Sequence, residues 1–238
     1  MTWRRVLICI GLALLVILVS RYPAPAWGAE TAPVPVEQIR KSEAGKRVQA
    51  LNHKVNVYLR SVGFDVEFEK VLVGNDHDWQ AAFPTYQQDG EDVDVAAYAG
   101  LDGATVISKD IAQTIGVTWP PLPEGAQILI HEQLHQITDA KPGNYGTWTD
   151  DERWWAEAAT EAVTQDLLPR FYRKNWPNVQ YYGGLLESYP RGTAAFRAVS
   201  ARATGSKWFS ADARRWRYAY IHANADLRSA MLRQGGIS

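Results

Sequence analysis

The sequence predicts an α+β fold for the part of the chain that follows its first 35 residues. Between Val48 and Val62, apolar residues recur at steps of three and four, which is the spacing of an amphipathic helix. Alternation of apolar and charged residues over 64–69 predicts a half-buried strand, and 93–99 and 104–108 have the composition of two more. Helical patterns dominate the rest, so we expect an N-terminal helix that backs a small mixed sheet with an edge strand, followed by helices.

Composition limits the classes of function. The chain has 238 residues, 46% hydrophobic and 21% charged, which suits one globular domain with a real core. The formal net charge is only −1, so there is no electrostatic reason to expect nucleic acid as a partner. The single cysteine, Cys9, lies in an apolar leader, so the body is expected to contain neither a disulfide nor a thiol nucleophile.

The first residues have the pattern of an export segment. Arg4 and Arg5 precede an apolar run over 6–20, which is shorter than the roughly 20 residues of a membrane-spanning helix. Small residues over 24–28 favour cleavage by a signal peptidase, whereas Arg21, directly after the run, favours a retained anchor. Both alternatives deliver the body across the membrane.

The domain organisation follows from this leader. We expect residues 1–28 to be a signal peptide or an N-terminal membrane anchor, 29–35 a linker rich in Pro and Ala, and 36–238 one domain. The body is expected to be secreted or extracytoplasmic, to touch the membrane only through its leader or anchor, and to be a monomer.

The strongest motif lies on a helix that Pro123 and Glu124 are expected to open. This helix carries His131-Glu132-Gln133-Leu134-His135, an H-E-x-x-H pattern. Histidines at i and i+4 lie on one helix face, where they can share one cation. Glu132 is then placed to take a proton from a metal-bound water rather than to bind the metal. The pattern therefore predicts a catalytic zinc site that still needs a third protein ligand.

Two glutamates are candidates for that ligand. A capping-box pattern at 149–152 opens a helix predicted over 151–168 and closed by Pro169. Glu157 and Glu161 share one face of it among alanines, and two buried carboxylates need compensation. We favour Glu157 as the ligand and Glu161 as an acceptor for the far nitrogen of His131, because this arrangement uses both acids. In the reverse arrangement the supporting position would fall to Gln165, a weaker acceptor.

With these residues the chain resembles the gluzincin metallopeptidases, in which a glutamate ligand on a second helix follows H-E-x-x-H. Ala97-Tyr98-Ala99 before Thr105-Val106-Ile107 is also similar to the edge strand and following strand that precede the active helix of zincins. The likeness covers residues 93–168. It departs from aminopeptidase-type members, which have a glycine after the ligand glutamate, and from thermolysin-type members, which have Asp where this chain has Glu161.

The resemblance implies an exported zinc endopeptidase with a zincin-like fold. It implies Zn²⁺ held by His131, His135 and Glu157, with Glu132 as the general base. From the uncharged run over 96–99 we expect a peptide or protein substrate to lie along 95–99, with Ala97, Tyr98 and Ala99 as the binding residues. A donor from elsewhere would stabilise the oxyanion. The sequence offers four candidates for that donor without choosing among them: Tyr181, Tyr182, Tyr220 and His222.

Two other classes of function stay open. A zincin-like zinc-binding domain could act as a non-catalytic binding or surface protein, although such a module has no use for Glu132. A helical structural protein without metal is the other alternative.

In the tail, we expect helices over 192–203 and 211–233, with Arg214, Arg215 and Arg217 on a solvated face.

Overall fold

The computed structural model of the chain describes residues 43–66, 71–74, 86–88, 91–93, 97–99, 104–138, 149–179 and 190–237. The helices are α1 (Glu43–Ser61), α2 (Lys109–Val117), α3 (Pro123–Ile137), α4 (Asp150–Asn175), α5 (Pro190–Thr204), α6 (Ala211–His222) and α7 (Ala225–Gln234). The strands are β1 (Val71–Val73), β2 (Tyr86–Gln88), β3 (Glu91–Val93), β4 (Ala97–Ala99) and β5 (Thr105–Ile107). This confirms the expected α+β class. No described helix has the length and apolar character needed to cross a membrane.

The sheet beside the helices is small and mixed. Strand β5 pairs in parallel with β1 and antiparallel with β4, which gives the order β1-β5-β4 and leaves β4 at an edge among the described strands. Strands β2 and β3 form a separate antiparallel pair. Helix α3 packs against both β4 and β5, so the H-E-x-x-H helix lies directly on the sheet.

The prediction of a strand over 64–69 is wrong for residues 64–66. Phe64 and Val66 are buried, as the alternating pattern requires, but they follow α1 in an irregular segment. The backbone of Phe64 donates to the carbonyl of Leu59, and Arg60 Nε donates to the carbonyl of Val66. Packing on the end of α1 therefore buries these residues, and the first of the described strands begins at Val71. Residues 67–70 lie outside the described part.

Helix α4 does not stop at Pro169, as the sequence suggested, but continues to Asn175. A proline inside a helix loses one backbone hydrogen bond and bends the axis. Buried aromatic residues beyond it outweigh that cost. Phe171 packs edge-on against Tyr58 of α1, with ring centroids 5.4 Å apart, and the hydroxyl of Tyr172 donates to the carbonyl of Pro121 at 2.7 Å.

The expected tail helix over 211–233 is two helices. Helix α6 ends at His222, and the side chain of Asn224 accepts a hydrogen bond from the backbone of Leu227 to start α7. Asn is among the preferred residues at this capping position, and its side-chain bond supports a break within an otherwise helical pattern.

The basic cluster on α6 is also only partly as expected. Arg215 is exposed, but Arg217 is fully buried and bonds to Asp166 of α4. Its Nη1 also donates to the hydroxyl of Ser200, at 2.9 Å, and to the carbonyl of Trp208, at 2.8 Å. A buried guanidinium is tolerated here because a carboxylate and two neutral acceptors compensate it.

Candidate metal centre

The two histidines of α3 face α4 from adjacent turns. Their rings meet edge to face with centroids 4.7 Å apart, and their Nε2 atoms are 3.0 Å apart. Both residues are buried, with 8% of His131 and 3% of His135 exposed. This is the arrangement that the i, i+4 spacing predicts for two imidazoles on one face.

Helix α4 brings the carboxylate of Glu157 to the same point. Its first turn is fixed by a complete capping box: the Thr149 hydroxyl accepts from the Glu152 backbone, and the Glu152 side chain accepts from the Thr149 backbone. Two turns later, Glu157 Oε2 lies 3.2 Å from Nε2 of both His131 and His135. The three potential ligand atoms all lie within 4.8 Å of one another, so this group could hold a metal ion.

The ring of His131 is held from behind by Glu161. Glu161 Oε2 lies 3.0 Å from His131 Nδ1, and the carboxylate is almost completely buried. Its other oxygen, Oε1, accepts hydrogen bonds from Gln127 Nε2 at 2.7 Å and from Gln165 Nε2 at 2.8 Å. When the ring is neutral, a proton on Nδ1 that is donated to Glu161 leaves Nε2 of His131 unprotonated and able to bind a metal ion.

The electrostatics of the cluster favour a positive charge at its centre. Burial opposes protonation of His131, but hydrogen bonds to Glu157 and Glu161 raise its pKa well above 6.5. Burial alone would raise the pKa of Glu157, but the charge of His135 and the hydrogen bonds from both histidines lower it strongly. A metal cation held between these groups would take the place of the proton that makes His131 positively charged.

Glu132 lies beside the cluster and is half-buried. Burial raises the pKa of its carboxyl above 4.5, because the charged form loses solvation, although the charges of His131 and His135 act in the opposite direction. A carboxylate with a raised pKa next to a metal site is suited to take up and return a proton.

A polar contact on the opposite side of α3 fixes the helix to its surroundings. Gln133 Nε2 donates to Asn52 of α1 at 3.2 Å and to the hydroxyl of Thr105 of β5 at 3.1 Å. All three residues are buried.

Neither Gln133 nor Gln127 was singled out from the sequence. Gln127 could have been found, because it precedes His131 by four residues and so shares its face.

The structure gives less support to the residues expected to stabilise the oxyanion or to bind the substrate. Tyr220 is buried against Phe196, with ring centroids 4.8 Å apart, and His222 stacks on Phe64 at 5.0 Å. These contacts tie both residues to the aromatic core and to the end of α1, and give no support for either as the oxyanion donor. Tyr181 and Tyr182 lie outside the described residues. So do the side chains of Tyr98 and Ala99, whereas Ala97 is half-buried on β4.

Comparison with known proteins adds no relative. The chain matches no protein-family model, and neither a curated protein nor a solved structure matches it significantly.

Proposed function

We propose that the chain is an exported, zinc-dependent peptidase of the gluzincin type, with His131, His135 and Glu157 as zinc ligands and Glu132 as general base. The observation that carries the proposal is the convergence of two imidazole Nε2 atoms and one carboxylate oxygen at mutual distances of 3.0–3.2 Å. In a tetrahedral site with bonds of 2.0–2.1 Å, ligand atoms are separated by about 3.3–3.4 Å. The three side chains therefore need only small movements to bind one ion.

The chemistry of the donors favours zinc. Two neutral imidazoles and one carboxylate are a common ligand set of catalytic zinc, and they leave a fourth position for water. A hard cation such as Ca²⁺ would instead take six to eight oxygen ligands, a coordination that two histidines do not supply. A nitrogen-rich set of three ligands thus supports zinc over calcium or magnesium.

The residues around the ion would divide the work of hydrolysis. A bound zinc ion would lower the pKa of a coordinated water and polarise the carbonyl of a peptide bond. Glu132 would accept the proton of the attacking water and deliver it to the leaving amine, for which its raised pKa suits it. Glu161 would hold the orientation and tautomer of His131, and would itself be held by Gln127 and Gln165.

A peptide substrate would lie along β4. This strand is at the edge of the described sheet, and α3 packs against it. An extended peptide can add to such an edge through backbone hydrogen bonds. The small side chain of Ala97 would let the backbone of the substrate approach closely.

The decisive experiment combines metal analysis with hydrolysis of an unstructured protein by the full chain and by Glu132→Gln. We expect zinc at one ion per chain in both, and turnover only in the wild type, because an amide keeps the shape of Glu132 but accepts no proton. Equal turnover by both proteins would reject Glu132 as the base. Zinc without turnover in either would favour the alternative, a zinc-binding domain that acts as a binding or surface protein, and absence of zinc would reject both.

A further inference from the structure

Large apolar side chains are exposed where α2 leads into α3 and just after α4. Val117 is 73% exposed, Trp119 43%, Leu122 40% and Val179 43%. Trp119 meets Trp176 edge to face, with ring centroids 5.7 Å apart, and the backbone of Val179 bonds to the carbonyl of Trp176. We call these five residues the Trp119 patch. Isolated exposed apolar residues are ordinary, but a cluster indicates a surface that is covered in use.

We propose that the Trp119 patch rests on the surface of a lipid bilayer that contains anionic lipids. This goes beyond the sequence analysis, which limited membrane contact to the leader, and it does not depend on the metal site.

Trp119 and Leu122 of the patch lie on the loop between α2 and α3. Two residues of this loop are prolines, Pro120 and Pro121, Pro123 opens α3, and the buried hydroxyl of Tyr172 donates to the carbonyl of Pro121. Prolines restrict the backbone and carry no N–H group. The loop therefore loses little conformational entropy on docking, and it brings fewer unsatisfied donors into the boundary between headgroups and acyl chains, where each would cost free energy.

The side chains of the patch and its rim suit that boundary. Tryptophan is enriched at membrane interfaces, where its ring is amphipathic. The Nζ of Lys54 lies over the ring of Trp176 at 5.7 Å, and Arg173, one turn before Trp176, is exposed. Cations at these positions would be attracted by the negative surface potential of an anionic leaflet. Glu124, the first acid after the loop, is half-buried.

The described part of the chain begins beside this patch. Helix α1 begins next to the end of α2: Arg47 donates to the carbonyl of Gly116 at 2.6 Å, and a Cβ on Gly116 would lie 2.7 Å from that of Ala44. Gly116 is adjacent to Val117 of the patch. In the sequence, residues 21–42 separate α1 from the apolar run of the expected leader, and 22 residues can span at most about 75 Å. A leader in the membrane would thus keep the patch within reach of it.

The test uses the full chain, reconstituted in vesicles, with an environment-sensitive fluorophore on Val117→Cys in a Cys9→Ser background. The matched control carries the fluorophore on Leu227→Cys, which replaces an apolar residue of α7 that is 52% exposed, and α7 packs on α5 and α6. We expect a blue-shifted emission at position 117, quenched by nitroxide lipids, in phosphatidylglycerol vesicles, and a weaker shift in phosphatidylcholine. Position 227 should give the emission seen in water.

Two surface variants sharpen the test. Trp119→Ser should lower the ratio of docked to free protein about tenfold, whereas Phe209→Ser, an exposed aromatic between α5 and α6, should not change it. Equal signals at 117 and 227 would overturn the proposal. A shielded fluorophore at 117 that lipid nitroxides fail to quench would overturn it as well, because the patch would then be covered by protein: a second copy of the chain or its own leader.

Discussion

Glu161 Oε2 contacts Nδ1 of His131, while Glu157 Oε2, one turn earlier on the same helix, contacts Nε2 of that ring. One imidazole is therefore held between two carboxylates of α4, each on a different nitrogen. Only the carboxylate on the Nε2 side also reaches His135. This asymmetry underlies the different roles that we assign to the two acids.

We expect Glu157→Ala to abolish zinc binding and Glu161→Gln to weaken it by about 10–100-fold, because the first variant removes a ligand and the second weakens the hold on one. Competition with a chelator of known affinity measures both. If Glu161→Ala empties the site while Glu157→Ala leaves it filled, the two roles are reversed.

We expect zinc to stabilise the folded chain, and His131→Ala and His135→Ala to lose that effect. At a free zinc concentration 100-fold above the Kd, a ligand that binds only the native state adds about 2.7 kcal/mol. Thermal unfolding with and without added zinc measures this. His53→Ala is the control, because His53 is exposed on α1 and should keep the full effect. A zinc-dependent increase in Tm in either site variant equal to that of the wild type would contradict the assignment.

We expect Ala97→Pro to weaken the binding of peptide substrates, measured as a higher KM, more than it weakens folding, measured as the free energy of unfolding. Neighbouring residues of a strand direct their N–H groups to opposite sides, so one N–H of Ala97 and Tyr98 faces β5 and the other faces the open edge. The carbonyl of Ile107, which lies opposite Ala97, accepts from Gly74 on the β1 side, so the N–H of Ala97 faces the open edge. Tyr98→Pro should then mainly lower the free energy of unfolding, because it removes a bond to β5. Unchanged KM values in a folded Ala97→Pro variant would exclude β4 as the substrate edge.

We expect Arg217→Met to destabilise the fold by about 3 kcal/mol, at the lower end for breaking a buried ion pair. Asp166 would lose its main partner, and Arg197, 4.0 Å away, would replace only part of that interaction. Denaturant unfolding gives the comparison. Arg215→Met, which removes the exposed pair with Asp212, should change stability by less than about 1 kcal/mol. A similar loss in the free energy of unfolding of both variants would show that the burial of the Arg217–Asp166 pair does not add to its contribution to stability.

The sequence was most informative where chemistry and helical spacing coincide. The i, i+4 histidines and the Thr149 capping box predicted both helices of the site, and the structure brings Glu157 and Glu161 to the positions expected of them. Whether the group binds zinc and hydrolyses peptides stays a prediction.

Features that depend on tertiary contacts could not be predicted in this way. Arg217 has the same local pattern as the exposed Arg215, and only its packing against Asp166 buries it. Pro169 is a strong stop signal, which the burial of Phe171 and Tyr172 overrides. The amide of Gln133 contributes through its contacts with Asn52 and Thr105, 81 and 28 positions away.

Pro169 has a mechanical consequence for the centre. Any other residue there would donate its N–H to the carbonyl of Gln165, the residue whose side chain holds Glu161. The turn next to the ligand-bearing segment thus lacks one backbone bond, and bending there is cheap. Beyond it, Phe171 and Tyr172 anchor the end of α4. Small shifts of the segment with Glu157 and Glu161 towards α3 would therefore meet less resistance from the backbone at this turn.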